Sequence, residues 1–145
     1  MRVKLNIGSG NRNLLAGYAT LDANPAMKPD IVAHVPPIPL ADSSCEAIYC
    51  SHLIEHLTNE EASELMREVW RVLEPGGEAV FIAPSAFTPG AYADPTHKSF
   101  WVPERFQYYT PAMRYLGYGL EDRFELLRAF VEGSDVKATL RKVTA

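Results

Sequence analysis

Short apolar runs that alternate with turn residues constrain the fold of this chain more than any other feature. Five such runs lie within the first 83 positions, and each is closed by a glycine, a proline or a polar residue. Runs of this kind are typical of strands that are buried on both faces of a parallel sheet. The sequence therefore predicts five strands, at residues 3–8, 18–22, 30–35, 46–50 and 78–83.

One long helix is predicted between the fourth and fifth strands, over residues 59–74. Thr58 and Glu61 form a T-x-x-E capping box at its start. Residues 75–77, Pro-Gly-Gly, end the helix and lead into the fifth strand. The apolar residues of the helix recur at helical spacing and form one face: Ala62, Leu65, Met66, Val69 and Leu73. A strand–helix–strand unit of this kind predicts the α/β class with a mostly parallel sheet.

The chain changes character after the fifth strand. Seven of the 15 aromatic residues lie between positions 99 and 118. Pro103 and Pro111 predict the starts of two short helices, and Gly117 predicts the end of the second. Residues 124–131 and 136–143 flank a glycine turn and predict an antiparallel C-terminal hairpin.

The connections after the first two strands are too short for ordinary helices. Residues 9–17 join the first strand to the second, whereas a full crossover between parallel strands needs a dozen residues or more. The connection over residues 22–30 is equally short. We therefore predict reduced helices after both strands, which leaves one sheet face with little cover. Because a parallel sheet is rarely left bare, the sequence favours a homodimer.

The length of 145 residues predicts a single domain over 1–145. Within it we expect a half that binds the cofactor at about 1–85, a substrate or lid segment at about 86–119 and the terminal hairpin at about 123–144. The N-terminus enters a strand pattern at once, so no signal peptide is predicted. No apolar run approaches the ~18–20 residues of a membrane span, so no membrane partner is expected.

The composition narrows the classes of function. A hydrophobic content of 47% excludes wholesale disorder. The net charge of −4 argues against nucleic-acid binding through a basic face. Cys45 and Cys50 make no disulfide framework and have no metal-ligand partner at close spacing. We therefore expect a cytoplasmic protein.

Two features at the strand ends predict a ligand that contains a nucleoside. Gly8 and Gly10 follow the first strand, and Asp22 ends the second. Ligands of open α/β sheets bind outside the carboxyl ends of the strands, where an acid can accept both hydroxyls of a ribose. A nicotinamide-dependent dehydrogenase is less favoured, because its G-x-G-x-x-G pattern would need glycine in place of Asn13 and a helix after it.

Four segments together resemble the class I S-adenosylmethionine-dependent methyltransferases. They are L-N-I-G-S-G at 5–10, L-D at 21–22, L-A-D-S-S-C-E-A-I-Y-C-S-H-L-I-E-H-L at 40–57 and R-V-L-E-P-G-G at 71–77. The resemblance covers residues 1–83 well and the tail loosely. With D-P-T-H at 94–97, the sequence is most similar to small predicted methyltransferases associated with surface-polysaccharide loci.

The resemblance implies a fold and a function. The fold is a Rossmann-like sheet of seven strands, mostly parallel, that ends in the antiparallel hairpin. The function is methyl transfer from S-adenosylmethionine to an oxygen or nitrogen of a small molecule or glycan. A non-catalytic subunit of the same fold, which binds the cofactor or serves assembly, is the alternative. The residues implied in cofactor binding are Asn6, Gly8, Ser9, Gly10, Asp22 and Ser51.

Two positions depart from the family pattern. Arg12 stands where many relatives have a third glycine, which fits a first helix that is reduced to a turn. His34 stands where many relatives have an acid that binds the adenine amino group. This leaves adenine recognition to backbone groups and to apolar packing near Val35 and Pro36.

The candidate catalytic residues are His97, Asp94 and His52. His97 suits a general base near pH 7, and Asp94 could orient its ring. The alternative is that Asp94 and His97 only hold a loop in place.

His52 is expected beside the sulfonium, and the alternative is that it caps the helical turn at 53–57. His52 and His56 have the i, i+4 spacing of a metal pair, but no third ligand stands in a recognisable motif, so no metal is predicted.

Overall fold

The computed structural model describes residues 2–10, 15–120 and 124–143. Seven strands form one sheet in the order β3-β2-β1-β4-β5-β7-β6. Strands β1 to β5 pair in parallel, and β7 runs antiparallel to both β5 and β6. The predicted fold class is therefore confirmed. The strands are β1 Val3–Ile7, β2 Ala19–Asp22, β3 Ile31–Val32, β4 Cys45–Ser51, β5 Leu73–Pro84, β6 Phe124–Glu132 and β7 Asp135–Lys142.

Helix α1 spans Asn59–Val72 and begins with the predicted capping box. The Thr58 hydroxyl accepts from the Glu61 backbone N–H at 3.2 Å, and the Glu61 carboxylate accepts from the Thr58 N–H at 3.0 Å. The helix ends two residues earlier than predicted, because Leu73 is already extended and pairs with Cys45 of β4. The Pro-Gly-Gly segment is an irregularity within β5, where Gly76 takes a positive φ of 82°.

The connections after β1 and β2 hold no long helix in their described parts. After β2 the chain makes one 3-10 turn, Pro25–Met27. Between β1 and β2, the described residues 8–10 and 15–18 form turns and bends. Arg12 and Asn13, on which two of the sequence arguments depend, lie outside the described residues.

Strand β3 is shorter than predicted, with two residues in place of six. The Asp30 carboxylate accepts from the backbone N–H of Thr20 at 2.9 Å and from its hydroxyl at 3.2 Å. A side chain thus takes the place of a backbone partner at the start of the strand. Beyond the strand, Pro36 and Pro37 have no N–H with which to extend the ladder.

The two faces of the sheet differ in burial. On one face, Leu5, Ile7, Ile48, Cys50 and Phe81 are fully buried. The aromatic segment lies on this face, since the Phe81 and Phe106 rings are 6.0 Å apart. Helix α1 lies there too, because Lys142 of β7 sits 4.0 Å over the Trp70 ring. The alternate residues form what we call the open face. Many of them are half-buried or exposed: Lys4, Ala47, Tyr49, Val80, Ile82 and Lys137. Asn6, Thr20 and Thr139 on the same face are buried.

The segment after β5 folds over the buried face and holds the two predicted short helices. After the one-turn helix α2, Gly90–Ala93, two 3-10 segments follow at Pro103–Tyr109 and Pro111–Leu116. Gly117 ends the second in a left-handed conformation. No helix in the described ranges has the length and apolar character that a membrane crossing requires.

Arg71, at the C-terminal end of α1, ties the loop before β4 to the helix. Its guanidinium donates to the Glu68 carboxylate at 2.6 and 3.0 Å, and to the carbonyls of Ile38 and Leu40 at 2.9 Å each. It also donates to the Asp42 carboxylate at 2.8 Å. These hydrogen bonds raise the pKa of Arg71 and lower the pKa of Glu68. The arginine of the R-V-L-E-P-G-G block therefore has a structural role.

We expect Arg71→Lys to lower the free energy of unfolding at neutral pH by about 1–3 kcal/mol, because lysine cannot reproduce the planar fork of donors. Urea denaturation measures the effect, and Arg128→Lys on exposed β6 is the matched control. Because the pKa of Glu68 is lowered in the folded state, this contribution is full above the ordinary value of 4.5 and fades on acidification. Equal stability of both variants at neutral pH would contradict the assignment.

Candidate functional site

The loop after β1 needs glycine at its first position. Gly8 has a φ of +69°, and a Cβ there would lie 3.1 Å from the Cβ of Leu53. The backbone N–H groups of Gly8 and Ser9 donate to the Leu21 carbonyl at 2.7 and 3.2 Å, which fixes the loop on β2. Gly10 also has a positive φ, of +61°, and among the described residues no atom would lie within 4 Å of a Cβ there. The described residues therefore leave room for a ligand beside Gly10.

Asp22, at the end of β2, holds this loop through its carboxylate. One oxygen accepts from the Gly10 N–H at 2.8 Å, and the other accepts from the Asn24 N–H at 2.9 Å. A carboxylate oxygen can accept more than one hydrogen bond. Asp22 is half-buried, so both oxygens keep the capacity to bind hydroxyl groups of a ligand.

A cavity of about 220 Å³ opens at the carboxyl ends of β1 and β4. Four of the six predicted cofactor residues line it together with His52: Asn6, Gly8, Ser9 and Ser51. Gly10 and Asp22 are not part of its lining and lie beside it, joined to it through the glycine loop. The parallel sheet has thus brought the predicted residues to one place.

Sequence reasoning missed two lining residues, Leu15 and Tyr49. Tyr49 precedes Ser51 by two positions on β4, so strand alternation puts both on one face and could have revealed it. Leu15 follows residues outside the described ranges, and no pattern in the sequence points to it. A larger groove of about 540 Å³ lies between α1 and the aromatic segment, beside Arg67 and Arg105. None of the predicted site residues lines that groove, so we place the site at the strand ends.

His52 stands between two carboxylates at the rim of the cavity. Its Nδ1 lies 3.5 Å from Glu55, and its Nε2 lies 3.6 Å from Asp135. The hydrogen bond with Glu55 raises the pKa of His52, and the charge of Asp135 adds to this. The predicted capping role is wrong, because the 3-10 turn Ile54–His56 has Leu53 at its N-cap and no side-chain cap.

The D-P-T-H segment docks on the turn that follows β4. The Glu55 carbonyl accepts from the backbone N–H groups of Lys98 and Ser99 at 2.7 and 3.2 Å. The Ser99 hydroxyl donates to the Ile54 carbonyl at 2.8 Å and accepts from the Trp101 indole at 2.9 Å. The H-x-x-E-H-L and D-P-T-H motifs, distant in sequence, are therefore in direct contact.

His97 is oriented by a backbone carbonyl. Its Nδ1 lies 2.8 Å from the Ala91 carbonyl oxygen, which can only accept, so Nδ1 is the donor. In the neutral ring, Nε2 then carries the lone pair, and it lies 3.4 Å from the Asp94 carboxylate. The prediction that Asp94 orients the ring thus needs a change, since Ala91 does so from the opposite nitrogen. The His97 side chain is 8% exposed.

Asp94 also acts as a hydrogen-bond acceptor within the turn, the alternative that the sequence left open. One carboxylate oxygen accepts from the Thr96 N–H at 2.8 Å and from the Thr96 hydroxyl at 2.7 Å. These hydrogen bonds lower the pKa of Asp94. The other oxygen is the one that faces His97. A single side chain therefore shapes the turn and faces the imidazole.

Glu55, His56 and His97 form a cluster that the sequence did not predict. One potential ligand atom from each lies within 4.8 Å of the other two. Of the pair considered from the sequence, His56 belongs to the cluster and His52 does not, and His97 comes from a distant segment. The rings of His56 and His97 meet edge to face with centroids 5.0 Å apart.

Comparisons with known proteins concern the family and the fold of this chain. A sequence model of the family described as "Methyltransferase domain" matches residues 5–81. A search of curated proteins finds no match.

Solved structures share the fold at low sequence identity. The protein in complex with the Haloferax volcanii Trm112 methyltransferase activator is 11% identical, with a TM-score of 0.73 over 99% of this chain and 83% of that one. A SAM dependent methyltransferase from Archaeoglobus fulgidus is 19% identical, with a TM-score of 0.69 over 97% and 86%. A structure of SAM-dependent methyltransferases from Methanosarcina mazei is 15% identical, with a TM-score of 0.69. The match covers 97% of this chain and 92% of that one.

Proposed function

This chain belongs to the methyltransferase-domain family, and from that premise we propose that it transfers a methyl group from S-adenosylmethionine to an oxygen or nitrogen of a small molecule or glycan. The cavity at the ends of β1 and β4 carries the proposal, because the glycine loop and His52 line it and Asp22 lies beside it, bonded to that loop. The family match favours methyl transfer over the dehydrogenase alternative.

The residues at the cavity fit this cofactor. The room that the described residues leave beside Gly10 would let the ligand lie close to the backbone, and Asp22 keeps lone pairs for the two ribose hydroxyls. Asn6, Ser9 and Ser51 add an amide and two hydroxyls for the polar methionine end.

Adenine recognition in this proposal does not use an acid after β3. His34 is exposed there, whereas the neighbouring Val35 and Pro36 are half-buried. These two residues supply apolar contact for the adenine ring, and backbone groups supply its hydrogen bonds.

The protein's own contribution to the reaction is alignment and exclusion of water. When bound, S-adenosylmethionine supplies a methyl group that its sulfonium charge already activates. His52 lies at the rim of the cavity, and we assign it, with its raised pKa, to positioning the acceptor. We assign proton removal from the acceptor to Nε2 of His97, the nitrogen that the hydrogen bond to Ala91 leaves free. Asp94 beside Nε2 stabilises positive charge on that side.

An exposed aromatic pair supports a small-molecule or glycan acceptor. The rings of Tyr92 and Phe100, which flank the D-P-T-H segment in sequence, stack with their centroids 4.8 Å apart. Both side chains are exposed, as is Phe87 close by in sequence. Aromatic walls with a few polar groups are the usual lining of a small-molecule site. The similarity of D-P-T-H to proteins of surface-polysaccharide loci favours a glycan.

We also propose that the chain forms a homodimer through the open face. Tyr49, Val80 and Ile82 lie half-buried on that face of an otherwise well-covered sheet. A second subunit would remove this apolar surface from water. Light scattering at micromolar concentration should give the mass of two chains, and Val80→Glu should shift it towards one. A monomer mass for the unchanged protein would contradict the dimer.

Asp22→Ala should weaken the binding of S-adenosylmethionine or its demethylated product by about 1–3 kcal/mol, the cost of removing one partner of a charged hydrogen bond. Isothermal titration calorimetry measures the binding. Asp42→Ala is the matched control, because Asp42 is an exposed carboxylate that pairs with Arg71. Melting temperatures of both variants show whether the loop at Gly10 has loosened. Equal affinity of the wild type and Asp22→Ala would refute the ribose assignment.

His97→Ala should lower turnover by roughly 10²–10⁴-fold and leave cofactor affinity unchanged. Formation of S-adenosylhomocysteine over a panel of hydroxyl and amine acceptors gives the rate. If His97 only holds the loop in place, the melting temperature of His97→Ala falls and its activity follows the fraction of folded protein. A wild-type protein that binds the cofactor but turns over no acceptor on a broad panel would support the non-catalytic subunit instead.

A further inference from the structure

The two histidines of the cluster are held in the same tautomer. His97 donates from Nδ1 to the Ala91 carbonyl. His56 Nδ1 lies 3.3 Å from the Thr96 carbonyl and 3.1 Å from the Thr96 hydroxyl, whose own proton goes to Asp94. A carbonyl only accepts, so His56 also donates from Nδ1. In both neutral rings the lone pair is therefore on Nε2.

Glu55 brings a buried carboxylate beside the lone pair of His56. It is 3% exposed, and one of its oxygens lies 3.9 Å from His56 Nε2. The other oxygen is fully buried and has no hydrogen-bond partner among the described residues. A buried carboxylate without full hydrogen bonding is costly, and a bound ion is one of the few groups that accounts for it.

We propose that Glu55, His56 and His97 bind a divalent transition-metal ion of the zinc type. Two imidazole nitrogens and one carboxylate oxygen are the donor set that such ions take in catalytic sites, where a further position stays open for a substrate oxygen. Each histidine also has the supporting contact that metal ligands almost always show, an Nδ1–H donated to a backbone carbonyl.

The spacing of the three groups suits one ion after small side-chain movements. Ligand atoms that each lie 2.0–2.1 Å from an ion are at most about 4.2 Å apart. The three atoms here lie within 4.8 Å of one another. His56 is 38% exposed, so the ion can enter from solvent.

The metal site deepens the proposed function and depends on it. Glu55 contacts His52 at 3.5 Å, and His52 lines the cofactor cavity, so the ion would lie beside the acceptor's path to the methyl group. A metal ion lowers the pKa of an oxygen ligand. The acceptor hydroxyl would lose its proton to solvent past the exposed Asp94. Its oxygen then bonds to the methyl carbon, and the electrons of the broken C–S bond remain on sulfur.

In this assignment the bound ion activates the acceptor, and His97 is one of its ligands. In the other mechanism, the His97 ring without a metal takes the proton itself. His97→Ala impairs both mechanisms equally. His56→Ala separates them, because a free His97 base would work without His56. His56→Ala and Glu55→Gln should therefore lose turnover with the metal, whereas a free base predicts near wild-type turnover in His56→Ala.

The test uses Co²⁺ alone, whose visible absorption reports nitrogen and oxygen ligands. Protein stripped with a chelator should bind one equivalent of Co²⁺. His56→Ala and Glu55→Gln should bind it about 10- to 100-fold more weakly or worse, since even loss of a supporting group costs that much. His34→Ala, which removes an exposed histidine outside the cluster, should bind it as the wild type does. Circular dichroism without metal verifies that each variant folds.

Absence of Co²⁺ binding to the wild type, or equal binding by all variants, would overturn the metal site. Calorimetry with S-adenosylhomocysteine on the same samples separates the two proposals. Cofactor binding without Co²⁺ binding leaves the methyltransferase proposal intact and removes the metal site. If Co²⁺ binds and needs Glu55 and His56, but the cofactor does not bind, the metal site stands. Its role in activating the acceptor for methyl transfer is then removed.

Discussion

The parallel pairing of β1 with β2 on one side and β4 on the other fixes where the candidate site lies. Because these three strands run in the same direction, the residues that follow each of them meet at one edge of the sheet. Gly8, Asp22 and Ser51 come from three separate stretches of sequence and reach that edge together. The hydrogen bond from the Gly10 N–H to Asp22 then locks the loop of one strand onto the end of the next.

A second contact places the acceptor side next to the cofactor side. The Glu55 carbonyl receives two backbone N–H groups from the segment that follows D-P-T-H. This docking brings His97 to His56 and lets Asp94 face the imidazole from an exposed position. Buried polar groups such as the Glu55 carboxylate are costly, and they are retained where they serve binding or chemistry.

The reduced connections after β1 and β2 shape the other face of the sheet. In a full α/β layer protein, helices cover both faces of the parallel strands. Here α1 and the aromatic segment cover one face, while Tyr49, Val80 and Ile82 stay half-buried on the other. The short connections therefore leave apolar surface on the open face. That surface is either covered by another means or stays exposed. The cavity is also affected, because Tyr49 of this face is one of its walls.

The sequence by itself determined the strands, α1 with its capping box, the hairpin and the six residues proposed for the cofactor, because each of these depends on local periodicity, turn chemistry or a short motif. It could not determine that Pro-Gly-Gly lies within β5, that Asp30 shortens β3, or that Leu15 lines the cavity, since these depend on partners in other elements. His56 and His97 show the limit most clearly. Their spacing in the chain carries no metal signal, and only the docking of one loop on another brings both rings and Glu55 into one cluster. Tertiary structure decided this because side-chain orientation was set by distant backbone carbonyls, which no local pattern encodes.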